Sequence, residues 1–286
     1  MTGSFYRIAV IALIALVSAA LPVRAEAVKA VASIAPLHSL LAGVMDGVAS
    51  PGLLVRGARS PHDYVMKPSD AKMLHGAQVV FWIGPAMEGF LVKPVAALAD
   101  NVRAVKLAGQ GESGEEPHNW LDPRIAARMV KDMVRVLGDI DAANAARYRE
   151  NGKKVRAGLI VLERELHQTL KPVAVVPYLV YHDAYRYFEK RFDLAAHGAV
   201  AIQADRPPGA KRVSALRRRI IASQIVCVFT EPQFTPALVR TLTQGTGAGI
   251  GSLDPLGAGL KPGPGLYAEM MRGMANSMLA CLGANG

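Results

Sequence analysis

Short apolar runs alternate with amphipathic stretches along nearly the whole chain. Runs of this kind are typical of buried strands, and apolar positions spaced three and four residues apart predict helices between them. Because strands and helices alternate, we expect an α/β fold of two lobes, each with a parallel sheet flanked by helices. The predicted strands are 29–34, 52–55, 79–83 and 102–107 in the first half, and 173–181, 199–202, 226–229 and 249–253 in the second.

Helical patterns occupy the segments between these strands. Ser69, which follows Pro68, has the side chain of a good N-cap for the second helix. The predicted helices are 37–45, 69–75, 86–98, 184–192, 210–223, 236–244 and 266–282.

A nearly continuous helical pattern from Arg124 to Leu170 separates the two halves. Gly138 and Asp139 predict a break, after which a long helix runs from about Asp141 to Leu170. Its roughly 30 residues would extend about 45 Å. We therefore expect a stiff helix that joins the two lobes.

The first 25 residues have the pattern of a cleaved export signal. Arg7 precedes an apolar run from Ile8 to Leu21, which is shorter than the roughly 20 residues of a membrane span. Val23-Arg24-Ala25 forms a small-x-small cleavage site, so we expect cleavage after Ala25 and a soluble mature protein. An uncleaved membrane anchor is the alternative. The expected organisation is a signal peptide (1–25), an N-terminal lobe (26–140), a connecting helix (141–171) and a C-terminal lobe (172–286).

The formal net charge of +10 can indicate nucleic acid, an anionic membrane surface or an acidic substrate as partner. The densest basic cluster, Lys211-Arg212 and Arg217-Arg218-Arg219, lies on a predicted helix whose apolar positions mark a buried side. A solvated helix face is the simpler explanation of this cluster. Export also argues against a nucleic-acid partner.

Cys227 and Cys281 are the two cysteines of the chain. In an oxidising compartment such a pair predicts a disulfide, which would tie the last helix to a predicted strand. Two buried, reduced thiols are the alternative. Two cysteines alone do not make a structural zinc site, because such a site takes four ligands.

Three of the seven histidines share one context, a loop at the end of a predicted strand. His62 follows the second strand, His118 follows the fourth, and His182 lies at the end of the fifth. Since ligands of open α/β sheets bind outside the carboxyl ends of the strands, we expect the three imidazoles to meet in a cleft between the lobes. A single loop histidine is more often exposed or a helix cap, so this hypothesis depends on the fold.

Asp254 follows the last predicted strand and is the candidate for a fourth ligand. Three nitrogens and one oxygen suit tetrahedral Zn²⁺, whereas Mg²⁺ and Ca²⁺ prefer oxygen ligands alone. Mn²⁺ or Fe²⁺ would favour a second carboxylate in place of one imidazole. Carboxylates often accept the second N–H of a ligating imidazole, although helix capping is the alternative for Asp122 and Asp183. The candidates for this supporting role are Asp63, Asp122, Asp183 and Glu231.

The common hydrolase and nucleotide-binding motifs are absent: the chain lacks Gly-x-Ser-x-Gly, His-Glu-x-x-His and Gly-x-x-x-x-Gly-Lys-Ser. We therefore expect neither catalytic residues nor a bound organic cofactor. A zinc-dependent hydrolase with water at an open position is the alternative, but no residue is placed as its general base.

Short segments in order along the mature chain form a further pattern. They are 60–64 (SPHDY) with 67–70 (KPSD), 82–88 (WIGPAME), 118–123 (HNWLDP), 182–185 (HDAY), 229–234 (FTEPQF) and 253–257 (LDPLG). Together they resemble the zinc-binding (ZnuA-like) branch of the metal-binding solute-binding proteins, cluster A-I, which are periplasmic receptors of bacterial ABC importers.

The resemblance implies two lobes with four-stranded sheets, a long rigid helix between them and a metal site in the cleft. Its ligands fall on His62, His118 and His182; Asp254 is the fourth in some members, while others use water or a glutamate. Manganese- and iron-binding relatives carry glutamate where this chain has His182, which favours Zn²⁺ as the transported ligand. The implied protein is a monomeric periplasmic receptor, not an enzyme, that delivers Zn²⁺ to an ABC transporter permease, with a periplasmic metallochaperone as a further partner.

One departure and two alternatives accompany this resemblance. Many zinc-uptake members carry a His-rich loop before the second ligand, whereas residues 108–117 hold three glutamates and no histidine here. We therefore do not expect this loop to gather metal. A manganese or iron receptor of the same family is the first alternative. A metal-binding surface adhesin is the second, and the lack of a lipid-attachment cysteine near the cleavage site argues against it.

Overall fold

The computed structural model describes residues 28–99, 102–107, 116–201 and 208–285. The expected signal peptide, most of the 108–117 loop and Ile202 at the end of one predicted strand lie outside the described residues. Within the described part of the chain, no helix has both the length and the hydropathy of a membrane span.

The first half folds into a parallel sheet of four strands. Its elements are β1 (Ala30–Ala32), α1 (Ala35–Val44), β2 (Gly52–Leu53), α2 (Pro68–His75), β3 (Val79–Trp82), α3 (Val92–Ala96) and β4 (Arg103–Lys106). The strand order is β2-β1-β3-β4. The inner strand β3 is buried along its whole length, whereas β4 at the edge is largely exposed. The continuous apolar run in β3 is therefore explained by burial on both faces of the sheet.

Two segments of this half differ from the predicted helices. Helix α2 begins at Pro68, so Ser69 is not its N-cap; Lys67 is, and its N–H donates to the Asp70 carboxylate at 2.9 Å. Proline suits the first helical turn because its missing N–H would have had no partner there.

The single helix predicted over 86–98 is wrong. Only a 3₁₀ turn at 89–91 and the short α3 form there. The reason is Glu88, whose buried carboxylate folds back to accept the backbone N–H groups of Ile83 and Gly84 at 3.1 and 2.8 Å. Gly84 has φ of +145°, which glycine adopts without strain.

Two long helices link the halves: α4 (Pro123–Ile140) and α5 (Ala145–Leu170). The break predicted at Gly138 and Asp139 is misplaced, because both residues lie inside α4. Asp141 ends that helix instead. Its carboxylate accepts hydrogen bonds from Asn144 and from the Tyr148 hydroxyl, both at 2.8 Å, which fixes the turn into α5.

Gly152 allows these two helices to approach closely. A Cβ atom at this position would lie 2.4 Å from Cγ2 of Val134, which is shorter than any relaxed carbon–carbon contact. The glycine therefore has a packing role in α5 that its low helix propensity alone does not suggest.

The second half repeats the topology of the first. Its elements are β5 (Tyr178–His182), α6 (Arg186–Phe192), β6 (Ala196–Ala201), α7 (Ala210–Ala222), β7 (Cys227–Thr230), α8 (Ala237–Thr243), β8 (Gly249–Ser252) and α9 (Leu266–Asn285). The strand order β6-β5-β7-β8 matches that of the first sheet, and all pairs are parallel. The prediction of two four-stranded parallel sheets is confirmed. Residues 173–177, predicted as the start of a strand, are not extended: a 3₁₀ turn ends at Val173, and β5 begins after Pro177.

The basic cluster on α7 makes specific contacts with backbone oxygens. Arg217 donates to the carbonyls of Thr241 and Gln244 at the end of α8, at 2.6 and 2.8 Å. Arg212 donates to Ala199 and Val200 in β6. A cation at a helix C-terminus is favourable because the last carbonyls carry partial negative charge.

The two halves are joined by buried contacts near the carboxyl ends of the strands. Trp120 donates its indole N–H to the Pro255 carbonyl at 2.8 Å, and Tyr267 donates its hydroxyl to the Trp120 carbonyl at 2.6 Å. Helix α9 packs on both α1 and α5. The predicted disulfide between Cys227 and Cys281 is present and ties α9 to β7.

Candidate metal centre

Three imidazoles converge between the two sheets. The Nε2 atom of His118 lies 3.2 Å from that of His62 and 3.3 Å from that of His182. His118 and His182 are buried and His62 is half-buried. Among the residues that the structure describes, these form the one group of His, Cys, Asp or Glu side chains with ligand atoms close enough to hold a metal ion together.

The topology explains why these residues meet. His182 is the last residue of β5, and His62 and His118 lie in the segments after β2 and β4. In a parallel sheet, all the strands end at the same edge, and here the edges of the two sheets face each other. Two ligands come from the first half and one from the second.

In two of the imidazoles, the other ring nitrogen, Nδ1, contacts a carboxyl group. Nδ1 of His118 contacts Oε1 of Glu116 at 2.5 Å, and the same oxygen accepts the His118 backbone N–H at 2.8 Å. Nδ1 of His182 contacts Oε1 of Glu231 at 2.6 Å. An ionised carboxylate only accepts, so Nδ1 carries the proton in both rings when Glu116 and Glu231 are ionised. The Nε2 lone pairs of His118 and His182 are then directed at the shared point, as metal ligation requires.

Electrostatics favour the neutral, ligand-ready form of the central ring. Burial lowers the pKa of His118 well below its ordinary value, and the nearby His182 lowers it further. Burial also raises the pKa of Glu116 to about 7. With His118 and His182 both protonated on Nδ1, their facing Nε2 atoms cannot hydrogen-bond to each other. A cation between the two Nε2 atoms accepts both lone pairs and so removes their repulsion.

The space enclosed by the imidazoles is small. The cavity leaves about 10 Å³ for the centre of a water-sized sphere, which is roughly room for one small ion or one water molecule. Much of its wall is apolar. The lining residues are Ser60, Pro61, His62, His118, Trp120, His182, Glu231, Gln233, Phe234, Pro255 and Leu256.

Comparison with known proteins identifies the family of this chain. Residues 30–281 match the model of the family described as zinc-uptake complex component A, periplasmic. The chain belongs to this family. High-affinity zinc uptake system protein ZnuA of Brucella abortus (strain 2308) is 39% identical, over 88% of this chain and 91% of that protein. The protein of the same name from Yersinia pestis is 32% identical, over 91% and 93% respectively.

A solved structure of the same type shares the fold. The crystal structure described as a 138–173 ZnuA deletion mutant with zinc bound superposes with a TM-score of 0.78. It is 25% identical and covers 90% of this chain and 98% of its own. The two-lobe architecture is therefore that of the zinc-uptake family.

In this zinc-uptake component, Asp254 does not lie among the converging ligand atoms. Its Oδ1 accepts hydrogen bonds from the Leu256 N–H and from Nε2 of Gln233, both at 3.2 Å. Its Oδ2 accepts the Ala258 N–H at 2.6 Å. The carboxylate is thus engaged in the turn that follows β8.

Of the four acidic residues expected to support the ligands, the structure brings Glu231 to a histidine. Asp122 caps α4 through the Arg124 N–H at 2.7 Å and pairs with Arg191 at 2.6 Å. Asp183 pairs with Arg186, and Asp63 is exposed. For Asp122 the helix-capping alternative is therefore correct.

Glu116 contacts a candidate ligand and was not among the residues expected from the sequence. It lies in the 108–117 segment, which holds three glutamates and no histidine. The available signal was its position two residues before His118, since a glutamate at that spacing can reach the ring that follows it.

Proposed function

We propose that this protein is the zinc receptor of an ABC importer, which captures Zn²⁺ between its lobes and hands it to a membrane permease. The observation that carries this proposal is the convergence of three Nε2 atoms, two of them on rings held by carboxylates. The curated relatives named for high-affinity zinc uptake support the same cargo.

The donor set favours Zn²⁺ over harder cations. Three imidazole nitrogens suit tetrahedral Zn²⁺, whereas Mg²⁺ and Ca²⁺ require oxygen-rich sites. A manganese or iron receptor is the alternative within the family, and it would be expected to carry more carboxylate ligands. The proposed role is binding and delivery, without catalysis.

Location and organisation follow from this role. We infer that residues 1–25 are a cleaved signal peptide and that the mature protein is a periplasmic monomer. Its parts would be an N-terminal lobe (26–140), a connecting helix (141–171) and a C-terminal lobe (172–286). A periplasmic metallochaperone is a proposed loading partner, because the 108–117 loop lacks histidine.

Metal titration of the mature protein tests the proposed function. Zn²⁺ affinity would be measured by competition with a chromophoric chelator for the wild type and for His62→Ala, His118→Ala and His182→Ala. Removal of a residue that hydrogen-bonds to a metal ligand lowers metal affinity roughly 10- to 100-fold. Removal of a ligand itself should lower the Zn²⁺ affinity by more than this. His167→Ala, an exposed position on α5, is the control and should bind like the wild type.

Two results would contradict the proposal. The site assignment fails if the three histidine variants bind zinc like the wild type. The cargo assignment fails if Mn²⁺ outcompetes Zn²⁺ for the wild-type protein.

A further inference from the structure

The side chain of Gln233 lines the cavity of the three histidines and hydrogen-bonds to Asp254. Its Nε2 donates to Oδ1 of Asp254 at 3.2 Å. Its Oε1 is buried and has no hydrogen-bond partner within the described residues. Gln233 lines the same small cavity as His62, His118 and His182, whereas Asp254 does not.

The orientation of this amide is determined by chemistry. If it were flipped, its oxygen would face the carboxylate oxygen of Asp254, and two acceptors would repel each other. Nε2 must therefore point to Asp254, which leaves Oε1 as the atom without a partner. A buried acceptor without a partner destabilises the fold, so an unpaired Oε1 beside a metal-binding cavity indicates a ligand.

Asp254 is poorly suited to approach the ion itself. Its carboxylate already accepts three hydrogen bonds, from Leu256, Ala258 and Gln233. Turning an oxygen toward the histidines would break bonds that hold the turn after β8.

We propose that Oε1 of Gln233 is the fourth donor to the bound zinc ion and that Asp254 is a positioning residue that orients the amide. This inference rests on the proposed function, because it concerns the same ion. Three imidazoles and one amide oxygen form a neutral donor set. The carboxyl groups of Glu116 and Glu231 lie behind the rings, and their negative charge favours a bound dication.

A neutral fourth donor has a consequence for selectivity. Mn²⁺ and Fe²⁺ favour directly bound carboxylates, and the site offers none in this arrangement. Gln233 is therefore a determinant of zinc preference.

Substitution of Gln233 tests the inference. Gln233→Met keeps the length of the side chain and removes its oxygen, so zinc affinity should fall by more than the roughly 10- to 100-fold that loss of an outer partner causes. The absorption spectrum of the Co²⁺-substituted protein should also change, because a donor is lost. Gln233→Glu should raise the affinity for Mn²⁺ relative to Zn²⁺. The matched control is Gln168→Ala on the exposed face of α5, which should change neither quantity.

A double-mutant cycle tests the role of Asp254. Asp254→Ala should weaken zinc binding less than Gln233→Met, and the double variant should lose no more than Gln233→Met alone, since both changes act on one donor. Thermal unfolding of each metal-free variant shows whether a loss of zinc affinity arises because the variant is not folded.

Distinct outcomes would overturn this inference without affecting the proposed function. It is wrong if Gln233→Met binds zinc like the wild type with an unchanged Co²⁺ spectrum. It is also wrong if Asp254→Ala causes the full loss and alters the spectrum while Gln233→Met does not, because Asp254 is then the ligand. Failure of the wild type to bind zinc would instead refute the proposed function.

Discussion

At the scale of single residues, two carboxylates contact the Nδ1 atoms of the converging imidazoles. Glu116 and Glu231 each face an Nδ1 atom at 2.5–2.6 Å and so direct an Nε2 lone pair into the cavity. Without the carboxylate, the ring could rotate or protonate Nε2, and both changes would weaken a metal bond.

We predict that Glu231→Ala and Glu116→Ala each weaken zinc binding about 10- to 100-fold. The zinc affinity of Glu231→Gln and Glu116→Gln should fall less, because the amide oxygen can still accept the Nδ1–H. Chelator competition measures these affinities, and Glu150→Ala at an exposed position on α5 is the control. If the four Glu231 and Glu116 variants bound zinc as tightly as the wild type and the control, the carboxylates would not orient the rings.

At the scale of elements, alanine substitutions at two glycines of α5 should change the stability in opposite directions. A Cβ at Gly152 would lie 2.4 Å from Val134 on α4, whereas a Cβ at Gly158 would meet nothing within 4 Å. Overpacking in a well-packed contact costs about 1–3 kcal/mol, and alanine in an open helical position gains up to about 1 kcal/mol over glycine.

We therefore expect Gly152→Ala to lower the free energy of unfolding and Gly158→Ala to raise it. Urea denaturation of the two metal-free variants beside the wild type measures both changes. If Gly152→Ala were as stabilising as Gly158→Ala, α4 and α5 would not pack as closely as the structure has them.

The turn after β3 contains a titratable group that makes stability depend on pH. Burial raises the pKa of Glu88 from 4.5 to about 7, although hydrogen bonds from Ser33, Gly84 and Ile83 oppose the shift. The folded protein thus retains a proton that the unfolded chain releases. The stabilisation from this group is fully present below pH 4.5 and is lost as the pH rises through about 7.

Glu88→Gln should flatten the dependence of unfolding free energy on pH between about 4.5 and 7. It should also lower stability at every pH, because one amide oxygen replaces the two oxygens that accept the Ile83 and Gly84 N–H groups. The quantity to compare is therefore the slope of the unfolding free energy against pH, which urea denaturation at several pH values measures. Glu150→Gln is the control, and a slope in Glu88→Gln equal to that of the wild type would contradict the prediction.

At the scale of the whole molecule, the disulfide and the metal site lie at opposite ends of β7. Cys227 is the first residue of this strand, and Glu231 follows its last residue. A strand of this length places them about 13 Å apart along the chain. The disulfide is therefore expected to stabilise the fold without shaping the site.

Replacing both cysteines, as Cys227→Ala with Cys281→Ala, should lower the free energy of unfolding by about 4 kcal/mol for a separation of 54 residues. Zinc affinity of the folded double variant should be unchanged. Wild-type protein treated with a reductant is the comparison that separates loss of the bond from loss of the sulfur atoms. An affinity that falls with the disulfide would indicate that α9 positions the ligands.

The sequence alone determines the architecture and the three histidines. Burial on both faces of a parallel strand produces apolar runs such as the one in β3, and this signal is local. The parallel topology then puts His62 and His118 at the carboxyl edge of the first sheet and His182 at that of the second, since all carboxyl ends of a parallel sheet lie together. Family resemblance and fold therefore led to the same three residues.

Only the tertiary structure decides which polar groups support these histidines. Asp122 and Asp183 have arginine partners, and Asp122 also caps a helix. Glu231 reaches His182 across 49 residues of sequence, and Gln233 is held by Asp254 from another strand end. Such contacts depend on side-chain direction and on distances of a few tenths of an ångström between remote segments. Sequence position makes Glu116 and Glu231 candidates, but only packing decides that these carboxylates and the Gln233 amide lie around the three histidines.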